Sequence, residues 1–311
     1  MLKLIASIML TLAILIFSYT LVYQNLPLNP IEMKPIGITS EPITTINHGF
    51  TPVFEENLRF NHNNISYFIE PSCSNTRTSA MKEAFQIFQK KMEVISFYEV
   101  DYKEADILVG CSEDFIEIGE DIFVAGEGGP TEIINTTIFK IIQKGKVILY
   151  EKHNCELPVV ELHELCHVFG FDHSLNPKNI MYNTSNCDQK ITQDMIDLIK
   201  KLYSIKPLPD ARITELSAVK KGRYVDFNIT VSNDGLTDID DIDLTLVANE
   251  KEIYTVHLNY IGIGYMKTLS ATNIRLPSTN IKTIDFIIDY DSQIEELNEE
   301  NNLIQMTISN L

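Results

Sequence analysis

The sequence predicts an α+β unit followed by an all-β sandwich, and three observations carry that prediction. Between Ser66 and Cys111, short runs of β-branched and aromatic residues flank a single helical stretch. Two more helical stretches lie between His163 and Ser204. Beyond Pro207 to Asp210, short β-branched runs alternate with turn residues such as Asn233-Asp234-Gly235. At 311 residues the chain has room for about two domains. The boundaries expected are an apolar leader at 1–23, a linker at 24–54, the α+β unit at 55–206 and the sandwich at 207–311.

Taken in order, the chain opens with Leu4 to Val22, which has no charged residue and follows Lys3. The run is long enough to span a bilayer, and the poor small-x-small pattern at Ser18-Tyr19-Thr20 favours an uncleaved anchor over a signal peptide. Lys3 would stay inside and the bulk would face outside; if the segment is cleaved, the protein is secreted. Residues 24 to 54 hold five prolines and little periodicity, and read as a tether.

Strands are expected at Ser66 to Glu70, Ser96 to Val100 and Ala105 to Cys111. They flank a helix from about Ser79 to Glu93, in which Met81, Phe85, Phe88 and Met92 recur at helical spacing. Gly126 to Pro130 (GEGGP) reads as an ordinary turn, with the rim of a substrate cleft as the alternative. A last helix is expected at Ile191 to Ser204, with Thr192 as N-cap and an Ile191/Ile196 staple.

The chemistry is concentrated in His163 to His173, HELCHVFGFDH, which places three of the chain's seven histidines within eleven residues. His163 and His167 are four apart on a helix, so both reach one ion from one face. Gly170 ends that helix and lets the chain return with His173 as a third ligand. Three protein ligands leave the fourth tetrahedral position open, which is the arrangement of catalytic zinc. Glu164, beside the ligands, is placed to act as general base. His48, His62, His153 and His257 are scattered and read as surface or loop residues.

With these residues the chain resembles the metzincin metallopeptidases, and among them the matrixins. Asp172 and Ser174 flank the third histidine as matrixins have them, and Asn176 to Asn183 (NPKNIMYN) resembles the Met-turn. The resemblance implies a twisted mixed sheet with a zinc helix, Met181 as an apolar floor under the imidazoles, and hydrolysis of protein or peptide substrates. Tyr182 follows the methionine directly, so it is not a ligand; Asn183 stands where matrixins usually carry proline. No cysteine precedes Cys73, so the family's pro-segment cysteine switch is not present in this sequence.

Beyond Pro207, strands are expected at Tyr224 to Val231, Asp243 to Ala248, Thr283 to Tyr290 and Leu303 to Ser309, which suggests an immunoglobulin-like sandwich. Asp289 to Asn302 (DYDSQIEELNEENN) resembles the closing signature of the CARDB family of prokaryotic surface proteins. That resemblance implies either a module for a cell-surface ligand or a spacer.

A net charge of −18 argues against nucleic acid and anionic lipid as partners. Calcium is a secondary expectation, on acidic runs such as Asp238, Asp240, Asp241 and Asp243, although no loop has the EF-hand spacing. Five cysteines leave one unpaired, and Cys166, inside the zinc helix, reads as a buried thiol. Cys155 with Cys187 and Cys73 with Cys111 is one of the three connectivities that the other four allow. The function expected is a zinc-dependent endopeptidase acting outside the cell; an inactive or autoprocessing zinc-binding adhesion protein is the alternative.

Overall fold

The structure, a computed structural model, describes residues 2–25, 30–36, 51–113, 117–119, 122–150, 155 and 157–308. His48, His153 and most of the expected tether lie outside them. The chain divides into two compact units, one of residues 41–208 with 234–237 and the other of residues 1–40, 209–233 and 238–311.

The first unit is built on a mixed sheet. Leu58–Phe60, Ile107–Cys111, Asn64–Ile69 and Ser96–Glu99 run parallel to one another and to Lys140–Leu149. Gly126–Asn135 pairs antiparallel with Lys140–Leu149. The GEGGP segment, expected as a turn, is thus the start of a ten-residue strand.

The helix Asn75–Met92 starts a turn earlier than its apolar stripe suggests, because the Ser74 side chain accepts a hydrogen bond from the Arg77 N–H. It buries Met81, Ala84, Phe85, Phe88 and Met92, and Phe88 stacks on Phe169 with ring centroids 4.6 Å apart. Each of the four large side chains among these stabilises the unit by about 1.5–3 kcal/mol relative to exposure. The last helix, Gln193–Ser204, has Thr192 at its N-cap position, but the hydroxyl makes no capping bond. It accepts instead from the Asn179 amide at 3.1 Å. At the other end of this helix, fully buried Arg59 donates to the carbonyls of Leu202 and Ile205 and lies over the Tyr203 ring. These are carbonyls that a helix end leaves without partners.

The second unit is antiparallel throughout. Its strand order is Lys251–His257, Asp243–Ala248, Thr283–Ile288, Leu303–Ile308, Ile31–Ile36, Ala211–Lys221, Tyr224–Asn233 and Met266–Arg275. The fifth of these comes from the segment expected as linker. Ile31 and Glu32 pair with Lys220 and Val219, and Met33 to Ile36 pair with Ile308 to Gln305. The strand therefore switches neighbours midway, and the first unit is inserted in sequence between two strands of the second. Only Met33 of its six side chains is buried, so its sequence shows no alternation that could reveal it.

The Asp289–Asn302 signature acquires a structural role. The Asp289 carboxylate accepts from the N–H groups of Gln293 and Ile294, Asn298 caps a 3-10 turn, and Asn301 donates to Asp210. At the N-terminus, Leu2–Asn25 is a single helix whose residues 9–21 are exposed. Among the described residues no helix is long and apolar enough to cross a membrane.

Candidate metal centre

His163 and His167 project from the helix Val159–Val168, all of which is buried. Their Nδ1 atoms lie 2.6 Å from the Ile180 carbonyl and 2.7 Å from the Phe171 carbonyl. A carbonyl only accepts, so each Nδ1 carries the proton and each Nε2 presents a lone pair. Those two Nε2 atoms are 3.0 Å apart, and neither has a proton to offer the other. A cation resolves that arrangement, and the outer carbonyls are the partners that metal-binding histidines use to hold their orientation.

Gly170 delivers the third imidazole. Its φ of +91° belongs to the left-handed region, and a Cβ there would stand 2.6 Å from Leu58 Cδ2. The following residues are held by a strap from 51–54: Phe54 N–H donates to the Gly170 carbonyl at 2.8 Å, and Asp172 N–H donates to that of Pro52 at 2.9 Å. Ser174 N–H then donates to the Met181 carbonyl at 2.8 Å. His173 is exposed, and its ligand atom lies within 4.8 Å of those of His163 and His167. Three neutral imidazoles around one point fit zinc.

Met181 is fully buried, and its N–H donates to Asn179 Oδ1 at 2.8 Å. The neighbouring Ile180 supplies the carbonyl behind His163. The segment Asn179 to Met181 and the His163 ring are therefore tied through the main chain. Disulfides join Cys155 to Cys187 and Cys73 to Cys111, and Cys166 is free and buried. The first bridge encloses all three histidines and Met181 in one covalent loop.

Glu164 is 6% exposed, and its carboxylate takes no hydrogen bond among the described residues. Burial, then the charges of Glu127 and Glu161, push its carboxyl up to about 8. Burial and the neighbouring imidazole of His167 push His163 down to about 4, so it is neutral near pH 7 and able to ligate.

Sequence reading missed several neighbours of this site. A Cβ on Gly128 would stand 2.1 Å from the Glu164 carbonyl oxygen, and one on Gly126 would stand 2.7 Å from Glu164 Cγ. The two glycines, alternate along one strand, let it lie against the helix that carries Glu164. Glycine at period two was the available signal. The Phe54 ring stacks on His167 at 5.5 Å, and Glu161, 3% exposed, is a second buried acid on the same helix. No local pattern marks either of these.

Residues 59–204 match the family model described as Matrixin, and residues 208–306 match CARDB. Rat stromelysin-2 is 24% identical over 161 residues, which is 45% of this chain and 31% of that protein. The chain therefore spans about a third of the curated relative's length. Two structures of the CARDB domain of the PF1109 protein from Pyrococcus furiosus are 18% identical, with a TM-score of 0.27. They are a crystal structure in complex with di-metal ions and a solution structure, and they match 32% of this chain and 88% and 94% of theirs. The chain carries a matrixin domain, of metallopeptidase type, followed by a CARDB domain.

Proposed function

We propose that the protein is a zinc-dependent endopeptidase in which His163, His167 and His173 hold the metal and Glu164 is the general base. The observation that supports it most is the pair of Nε2 atoms facing each other at 3.0 Å, with both Nδ1 protons turned to carbonyls. Zinc bound there supplies Lewis-acid polarisation of a peptide carbonyl and lowers the pKa of a water molecule toward about 7. Positive charge bound at the three histidines would draw the buried Glu164 carboxyl back toward its ionised form, and as a carboxylate it takes the proton of the attacking water and passes it to the leaving amine. Met181 is the apolar floor of the imidazoles.

The strand Gly126–Asn135 is the natural platform for substrate. It pairs with Lys140–Leu149 on one edge, and it lies beside Glu164. An extended peptide adding to its other edge would run past the base with its main chain hydrogen-bonded, so the substrate is an unfolded or loop segment of a protein. The CARDB domain contributes placement, either as spacer or as module for a surface ligand. Attachment through the N-terminus and action outside the cell are supported by the charge-free run Leu4 to Val22 and by the two disulfides.

The test is peptide-library hydrolysis by the purified protein, with and without chelator, beside Glu164→Gln. The variant should bind as much zinc as the parent and lose hydrolysis by about 10²-fold or more, the scale of a missing general base. Wild-type turnover in that variant sinks the assignment.

A further inference from the structure

The strand Ile31–Ile36 lies wholly outside residues 208–306, the span that matches CARDB, yet it is built into the sandwich. Ile31 and Glu32 pair with Ala211–Lys221, and Met33 to Ile36 pair with Leu303–Ile308. Without this strand the order of eight separates into three strands that end at Ala211–Lys221 and four that end at Leu303–Ile308. Both would then be bare sheet edges, whose N–H and C=O groups are a template for another strand. The one buried side chain sits where the pairing changes over. Met33, 5% exposed, belongs to the same core as Ala218, Phe286 and Met306. Pro35 is tolerated because its half of the strand has a neighbour on one side only.

We propose that the edges of Ala211–Lys221 and Leu303–Ile308 form a strand-acceptor site, that its occupant is the N-terminal segment of the same chain, and that the segment is held there without need of the covalent connection through residues 37–50. Recognition is by strand addition: main-chain pairing to two edges supplies the affinity, and one apolar side chain in the core supplies the register. The sequence around Met33 enforces that register. A slip of one residue in either direction would turn Met33 outward and bury Glu32 or Lys34 in its place. The CARDB unit is then the receptor for the segment that carries the helix Leu2–Asn25, and a chain opened within residues 37–50 would keep that helix.

The test uses the full chain with an affinity tag before Met1 and the recognition site of a sequence-specific protease inserted between Ser40 and Glu41. Chelator is present throughout, so hydrolysis by the protein itself plays no part. After complete cutting of the parent, the tagged segment should retain residues 41–311 through gel filtration and release them in denaturant. Met33→Asp, confirmed as folded by circular dichroism before cutting, should release them at least about tenfold faster, because a charge would enter the core. Glu32→Ala, at an exposed position, should behave as the parent. An excess of synthetic peptide of residues 30–37 should displace the tagged segment from the cut parent, and the same peptide with Met33→Asp should not; this arm stands even if the Met33→Asp protein does not fold. Spontaneous separation of the two pieces of the parent would overturn the proposal. So would co-purification of an untagged copy with uncut tagged chain that Met33→Asp abolishes, since the acceptor would then be filled by another molecule's strand.

Discussion

Each unit buries one glutamate whose carboxyl is pushed far up, and the two are held in opposite ways. Glu296, 7% exposed in the sandwich, accepts from the Ala211 N–H and from Asn302 Nδ2 at 2.9 Å, and burial still raises it to about 7. Glu164, 6% exposed, is raised to about 8 with no hydrogen bond among the described residues and with Glu127 and Glu161 as its neighbours. Equal burial thus produces a fastener in one unit and, in the other, a carboxyl to which no donor is aimed among the described residues. The difference lies in donors: where the main chain aims N–H groups at a buried carboxylate, the group becomes structure.

The widest separation should come from exchanging the two acids. Glu164→Gln removes hydrolysis and leaves stability near the parent's, whereas Glu296→Ala strands the Ala211 N–H and the Asn302 amide. Glu296→Ala should cost about 2–4 kcal/mol in urea unfolding, with peptide hydrolysis unchanged per folded molecule. If Glu296→Ala silences a folded enzyme, the division between fastener and base is wrong.

Next in size is Gly128→Ala. The new methyl meets the Glu164 carbonyl oxygen, so the strand must retreat from the helix. A loss of about 1–3 kcal/mol is expected, as for an overpacked core, with a fall in hydrolysis because the same retreat moves the substrate platform. Gly129→Ala, where a Cβ meets nothing within 4 Å, is the control.

A pH scan of the zinc-free protein sharpens the contrast further. Glu164 is raised from 4.5 to about 8, so the folded chain keeps a proton that the unfolded chain releases. Its contribution is complete below 4.5 and is lost as pH rises through 8. His163, depressed from 6.5 to about 4, works in the opposite direction, but only below 6.5. Between pH 6.5 and 8 unfolding stability should therefore fall by about 1–2 kcal/mol, and Glu164→Gln should flatten most of that slope.

The smallest effect is expected at Met181. Met181→Leu keeps an apolar side chain of similar volume and should cost less than about 1.5 kcal/mol with zinc retained. His173→Ala, by contrast, should release zinc, read as metal content after dialysis. Equal zinc loss in both would remove Met181 from its role as a floor.

The three-histidine cluster, with the buried glutamate proposed as base, was legible because metal chemistry demands particular residue types at spacings that a helix and one left-handed glycine impose. Asp289 to Asn302 was legible as a signature for a similar reason, since Asp289, Glu296, Asn298 and Asn302 each answer a local backbone or side-chain need. The strand Ile31–Ile36 was not legible. It contains a proline, buries one side chain and takes its partners from Ala211–Lys221 and from Leu303–Ile308, far along the chain.

By itself, then, the sequence determined the three-histidine cluster that could hold a metal, the order of the two units and which cysteine stays unpaired in the helix, because each depends on residue identity at short range. Tertiary structure decided the rest. It turned GEGGP from a turn into the strand that lies against Glu164, set Phe54 on His167, split an acidic run into a hydrogen-bonded Asp238 and a group around His257, and placed an N-terminal strand inside the C-terminal sandwich. Those outcomes depend on which surfaces meet across long stretches of chain, and contacts of that kind leave no periodicity in the segments that make them.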